Sequence, residues 1–229
     1  MAWDERDYYR DERRPAWTSG GFGQVIWWML TGSVYAGSYL NIRVRIHSTF
    51  FLLLGVQLLR FNDIAWTLRW SWLLFVSVLL HEFGHCLACR RVGGTADDIL
   101  MWPLGGLAMC RPPHRAWAEF VTVVWGPLVT LILAAGAYLT LWLWLGTDSP
   151  VSLNPFAMWS SGWWRGGVEG WVRDIYLVNY TLLLFNLALV FYPFDGGRLI
   201  QTALWAKFCL LYTSPSPRDQ RGSRMPSSA

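Results

Sequence analysis

Apolar residues in this chain gather into long runs separated by short polar breaks, and the period of the pattern changes along the way. From Leu40 to Ile46, Ile42, Val44 and Ile46 alternate with Arg43 and Arg45. A period of two predicts a half-buried strand with both arginines on one face, near lipid headgroups. Ahead of it, Gln24 to Leu40 holds a short apolar patch and then small residues, a pattern that fits an interfacial helix and a strand equally. His47 to about Trp66 is a first candidate span. Its strictly apolar part, Phe50 to Leu59, is short, so crossing a bilayer needs snorkelling flanks or local thinning. A second span runs from about Trp70 to Cys89. Gly93-Gly94 and Asp97-Asp98 then break the pattern, Ile99 to Trp102 reads as a strand, and Pro103-Leu104-Gly105-Gly106 follows it. A third span covers about Trp117 to Leu145 and contains Gly126-Pro127, placed to kink it or to leave a carbonyl free. The fourth begins near Ile175 and ends in LVFYPFDGGRLI. These elements predict an all-α polytopic membrane protein with about four transmembrane helices and short interfacial or re-entrant strands.

Composition agrees with the membrane class: 54% of residues are hydrophobic, only 15% are charged, and there are 17 Trp. The formal charge of +4 comes largely from arginines near the ends of apolar runs, which suits anchoring in a lipid bilayer and offers no nucleic-acid surface. Arg43, Arg45, Arg90, Arg91, Arg111 and Arg115 fall on one side if spans one and two both cross. The opposite loops hold fewer, so the N-terminus and the end of span two are expected at the cytosol. Gly146 to Gly170 is rich in Trp, Gly, Ser and Pro; Phe156, Trp159, Trp163, Trp164 and, just beyond, Trp171 form a candidate aromatic belt. His114 and His47 read as interfacial histidines, and the opening DERDYYRDERRP lacks the apolar core of a cleavable signal peptide. Three regions are expected: a cytosolic or interfacial segment over 1–40, a membrane core over 41–208, and a tail over 209–229. Cys209 to Asp219 reads as the translation of a transposase-type sequencing adapter, so the natural protein is expected to be cut near Phe208 and the tail to be artefactual and disordered.

The chemistry concentrates in span two, where His81, Glu82 and His85 follow the order H-E-x-x-H. On a helix the two histidines lie one turn apart on one face, so both imidazoles reach one metal ion, and Glu82 reaches a water bound there. Ionisable groups inside an apolar helix are costly and mark function. Two histidines do not complete a catalytic zinc site, which takes three protein ligands and an open position. Asp195, closing the fourth apolar run and followed by Gly196-Gly197, is a candidate third ligand; the residues alone leave a helix cap paired to Arg198 equally open. Cys86 and Cys89 share a C-x-x-C spacing but read as small apolar helix residues. Asn179 reads as an interhelical hydrogen-bonding residue.

HEFGH in an apolar helix, PLGG after it, GPL in the next span and FDGGR closing the fourth, with IRVRIHSTFFLLL at the start, resemble the site-2 protease family of intramembrane metalloproteases. The resemblance covers about Asn41 to Gln201. It implies zinc held by His81, His85 and Asp195, Glu82 as catalytic base, and Asn186 near the reacting carbonyl. It also implies cleavage of peptide bonds in or near a transmembrane segment of a membrane-tethered protein substrate. The chain resembles the compact members of the family, with no PDZ-like insertion. Leu189-Val190 stands where the family commonly has a proline, and Thr130 where it often has asparagine, departures that touch substrate contacts and not the zinc triad. The strand-like Ile99 to Trp102 with Gly105 and Gly106 is expected to offer an edge on which unwound substrate pairs. Two rival readings are an inactive zinc-binding membrane scaffold, which would not need Glu82, and an ion transporter that uses the same four residues and shows flux without proteolysis. A soluble metalloprotease is excluded by the apolar helix that carries the motif.

Overall fold

The computed structural model describes residues 21, 31–61, 63–103, 105–145, 167–189 and 194–208. The N-terminal segment before residue 31 (apart from residue 21), most of the Trp-rich loop and the tail beyond residue 208 lie outside the described residues. The chain begins as a hairpin of β1, Ser33–Tyr39, and β2, Ile42–His47. It continues through two helices, α1, Ser48–Arg60, and α2, Ile64–Arg91, to a second hairpin of β3, Thr95–Trp102, and β4, Gly105–Arg111. Three helices follow: α3, Ala116–Leu145, α4, Gly167–Ala188, and α5, Asp195–Phe208.

The four strands form one sheet in the order β1-β2-β3-β4. The two hairpins are antiparallel, and β2 and β3 join them in parallel, with Val44 opposite Ile99 and Ile46 opposite Met101. Parallel neighbours require a crossover, and the α1–α2 pair supplies it. One face of the sheet packs on α2: Ile42, Val44, Ile99 and Met101 share a core with Val78, Cys86 and Cys89. Alternation in IRVRIH thus does what its period implies. Arg43 and Arg45 lie on the opposite face, where both approach the Asp98 carboxylate, at 2.7 and 3.6 Å. At the tip of the first hairpin, Leu40 and Asn41 both take left-handed backbone, with φ of 54° and 58°, a tight turn that non-glycine residues adopt at a cost. Arg90, in the last turn of α2, donates to both of their carbonyls, at 2.6 and 2.8 Å, which offsets that cost and ties the hairpin to the helix.

Three readings of the sequence change here. The first apolar run is broken: α1 ends at Arg60, and Asp63 caps α2 by accepting from the Trp66 amide at 2.9 Å. A 13-residue helix rises only about 20 Å, less than the hydrocarbon core of a bilayer. The ambiguous segment before Leu40 resolves in its second half as strand β1, and the residues after Pro103-Leu104 form a further strand, β4. The fourth run does not end at Asp195; α4 stops at Ala188, and Asp195 opens a separate helix. Among the described residues, two helices are long and apolar enough to cross a membrane by length and composition, α2 and α3. Four transmembrane helices are therefore not what the structure establishes; it is a mostly helical chain with a small sheet. In α4 the charges of Glu169, Arg173 and Asp174 interrupt the apolar pattern.

The helices pack closely where small residues permit it. At Gly84 a Cβ would meet the Trp125 carbonyl oxygen at 2.7 Å, so α2 and α3 approach backbone to backbone. Between α2 and α4, the Asn179 amide donates to Ser77 Oγ at 3.1 Å, and Arg69 pairs with Asp174 in a buried ion pair.

Candidate metal centre

His81, His85 and Asp195 converge at the centre of the helical bundle, all three buried, with one ligand atom of each within 4.8 Å of the others. His81 Nε2 lies 2.9 Å and His85 Nε2 3.3 Å from Asp195 Oδ2, and the two Nε2 atoms are 3.0 Å apart. Helical spacing brings the histidines together. Asp195 comes from 114 residues further on, through the start of α5.

The placement of Asp195 depends on glycine. A Cβ at Gly196 would lie 2.5 Å from the Leu187 carbonyl oxygen and 2.9 Å from that of Leu189. The first turn of α5 therefore abuts the carbonyl end of α4, an approach that a side chain at 196 would block. Arg198, the alternative partner weighed for Asp195, instead donates to Glu119 on α3 at 2.8 Å.

The donor set fits a divalent metal such as zinc. His85 Nδ1 lies 2.8 Å from the Thr122 carbonyl oxygen, which only accepts, so that nitrogen carries the proton. A neutral His85 then turns the lone pair of Nε2 toward His81 and Asp195. Lone pairs and a carboxylate facing one another in a buried space call for a cation between them.

Glu82 is buried beside this group, and its carboxylate Oε2 accepts from the Ala108 amide of β4 at 3.0 Å. Among the described residues β4 is an outer strand of the sheet, and this bond occupies one of its amides. Gly106 makes the approach possible: a Cβ there would sit 2.3 Å from Glu82 Cγ. Gly105 has φ of 151° and open space around it. Asn186 lines the same cavity, with its amide donating to the Leu182 carbonyl at 3.1 Å. The cavity has a volume of about 960 Å³ and is lined mainly by apolar side chains, with Trp70, Leu74 and Val78 along α2 and Leu182 and Phe185 along α4.

The structure therefore brings together His81, Glu82, His85, Asp195, Asn186, Gly105 and Gly106. It leaves His47 away from them, as the cap of α1, where Nδ1 accepts from the Thr49 amide. Cys86 and Cys89 are buried in the core under the sheet, outside the metal group. Cys110 on β4 lies 3.9 Å from Cys86 through sulfur, and that contact together with burial pushes its thiol well above the ordinary range.

One site residue escaped the sequence. A Cβ at Gly126 would fall 2.2 Å from His85 Nε2 and 2.8 Å from His81 Nε2. Gly126 lets α3 close over the two Nε2 atoms, while α3 itself runs on through Pro127. The Gly-Pro pair in an apolar helix was the available signal, and its helix-bending meaning concealed the steric one.

The sequence model of Peptidase family M50 matches residues 70–163. The zinc metalloprotease MJ0392 of Methanocaldococcus jannaschii is 30% identical over 173 residues, 74% of this chain and 44% of that protein. The Synechocystis protein sll0528, provisionally named a zinc metalloprotease, is 28% identical over 190 residues, 77% of this chain and 45% of the relative. This chain thus spans about half the length of these curated relatives. Among solved structures, the site-2 protease from Methanocaldococcus jannaschii superposes with a TM-score of 0.58 at 26% identity, covering 77% of this chain and 73% of that one.

Proposed function

Because the chain belongs to the site-2 protease family within peptidase family M50, we propose that it is a zinc metalloendopeptidase that hydrolyses peptide bonds in or near a transmembrane segment of a membrane-tethered protein. One observation carries the reading: the buried convergence of His81, His85 and Asp195 with Glu82 beside it, in a cavity lined largely by apolar side chains. Depth supports the intramembrane part. Ten residues separate His81 from Arg91, about 15 Å along a helix, and the Arg90-Arg91 pair belongs at the headgroups. That leaves the metal group roughly halfway into a hydrocarbon core about 30 Å thick.

His81, His85 and Asp195 would hold zinc, which when bound lowers the pKa of water and polarises a carbonyl. His85 is kept in the ligating tautomer by its Thr122 bond. Glu82, oriented by the Ala108 amide, takes a proton from the attacking water and returns it to the leaving amine. Asn186 is positioned on the cavity wall to donate to a carbonyl oxygen that gains charge, on giving up its bond to Leu182. A helical substrate must unwind to expose the scissile bond, and unwound backbone in lipid needs partners. The outer edge of β4, running from Gly105 and Gly106 past Ala108, offers them. Proline at Ala108 removes both the amide that orients Glu82 and a position on the β4 edge, and is expected to abolish cleavage while zinc stays bound; unchanged cleavage would contradict both roles.

The lipid bilayer is the working environment, and the basic residues favour a cytosolic N-terminus and a cytosolic exit from the site. The deciding assay uses a single-pass substrate in liposomes with wild type and Glu82→Gln, with zinc measured in both. Cleavage by wild type alone, with zinc in each, is expected, with a loss of about 10²-fold or more. Zinc in both and cleavage in neither would favour a scaffold, and metal or proton flux without cleavage a transporter.

A further inference from the structure

A protease in the membrane consumes one water for every bond it cuts, yet apolar side chains border much of the cavity around its metal group. Among the described residues, one charged side chain lines that cavity beyond His81, Glu82, His85 and Asp195, namely Arg198. Its guanidinium donates through Nη2 to Glu119 Oε1 at 2.8 Å, joining the first turn of α5 to the first turn of α3. Glu119 in turn lines a second cavity, of about 320 Å³, together with Arg111, Pro112, Pro113, His114 and Trp205. Arg111 and His114 are exposed, so this second space opens on the basic surface that follows β4. The ion pair therefore stands as a partition: one partner faces the metal group, the other faces the outside. Both side chains keep 27% of their surface accessible, as expected of a wall with space on each side.

We propose that the Arg198–Glu119 ion pair is a gate between the metal cavity and the basic surface, which opens when the pair separates and admits water and small hydrophilic solutes. The proposal rests on the reading of His81, His85 and Asp195 as zinc ligands. A partly exposed charge pair suits the task, because water on both sides can take over the hydrogen bonds of each partner as it swings away. A buried pair would hold shut, since separating it strands charges in a dry interior.

The test is the rate at which zinc is lost to EDTA from protein in lipid nanodiscs, where lipid covers the lateral approach. Glu119→Gln and Arg198→Gln are expected to retain stoichiometric zinc and release it about tenfold faster, the scale of losing one hydrogen bond between charged groups. The double variant should match either single, because one gate is removed only once. His114→Trp, at an exposed position on the outer cavity, fills that space and should slow release; it serves also if the ion-pair variants do not fold. Tight zinc whose release ignores Glu119, Arg198 and His114 alike, or a double variant whose effects simply multiply, would overturn the gate alone. Wild type without zinc would overturn the metal reading and the gate with it.

Discussion

A Cβ at position 126 would lie 2.2 Å from His85 Nε2, so Gly126→Ala must displace either the His85 imidazole or helix α3. Zinc affinity is expected to fall by at least about tenfold, as when ligand orientation is lost. Gly136→Ala on the same helix meets nothing within 4 Å and should leave zinc untouched, which separates the steric effect from helix propensity. Metal analysis of both purified variants checks it; equal zinc in the two would refute the argument. The contrast also marks what could be read at this scale from the sequence. His81, Glu82 and His85 are legible because their geometry is local: four residues of helix bring two imidazoles to one side. Asp195 had only chemical plausibility until a family pattern was invoked, because 114 residues separate it from His81. The steric role of Gly126 is not legible in the sequence, since a glycine's meaning lies in the neighbour that fills the missing Cβ's place, and that neighbour is on another helix. Proximity in sequence makes Arg198 an equally open partner for Asp195, while the fold pairs it with Glu119.

Among the elements, α4 shows how a span-length helix hides from a hydropathy reading. Its N-terminal part carries Glu169, Arg173 and Asp174, and the fold buries the last two. Arg69 of α2 meets Asp174 in a buried ion pair and lies over the Trp171 ring at 5.4 Å, so the charge of α4 is matched inside the bundle. Arg69→Ala leaves Asp174 without that pairing and is expected to cost roughly 3–5 kcal/mol, whereas Arg69→Met with Asp174→Leu should recover most of the loss. Thermal unfolding in detergent distinguishes the two; a single variant as stable as wild type would show that another group, Arg173 or water, compensates the carboxylate. The strands obey a similar logic. IRVRIH announced itself by alternation, and β3 was legible over its apolar half. β4, with the sequence GGLAMCR, has a strand role imposed by its place beside β3 and its amide bond to Glu82, and no periodicity reveals such a role.

At the scale of the whole molecule, the parallel pairing of β2 with β3 constrains how the chain can be threaded, which charge counting alone does not. Two strands in one sheet occupy one side of a membrane, so the chain that leaves β2 as α1 must return through α2 to the same side. The 28-residue α2 rises about 42 Å, enough to cross with length to spare, while α1 at 13 residues covers about half that distance. With α2 crossing a bilayer, the turn near Asp63 would lie on its far side or deep within it. Single cysteines at Ser38, Thr95 and Asp63, in a background without the native four, separate these arrangements by labelling with a membrane-impermeant maleimide in intact and lysed cells. Ser38 and Thr95 are expected to react alike, only after lysis if the arginines face the cytosol. Asp63 should react in intact cells if α1 and α2 both cross, and in neither condition if the turn is buried in lipid. Labelling of Ser38 and Thr95 from opposite sides would contradict the sheet, and with it the edge on which Glu82 is held.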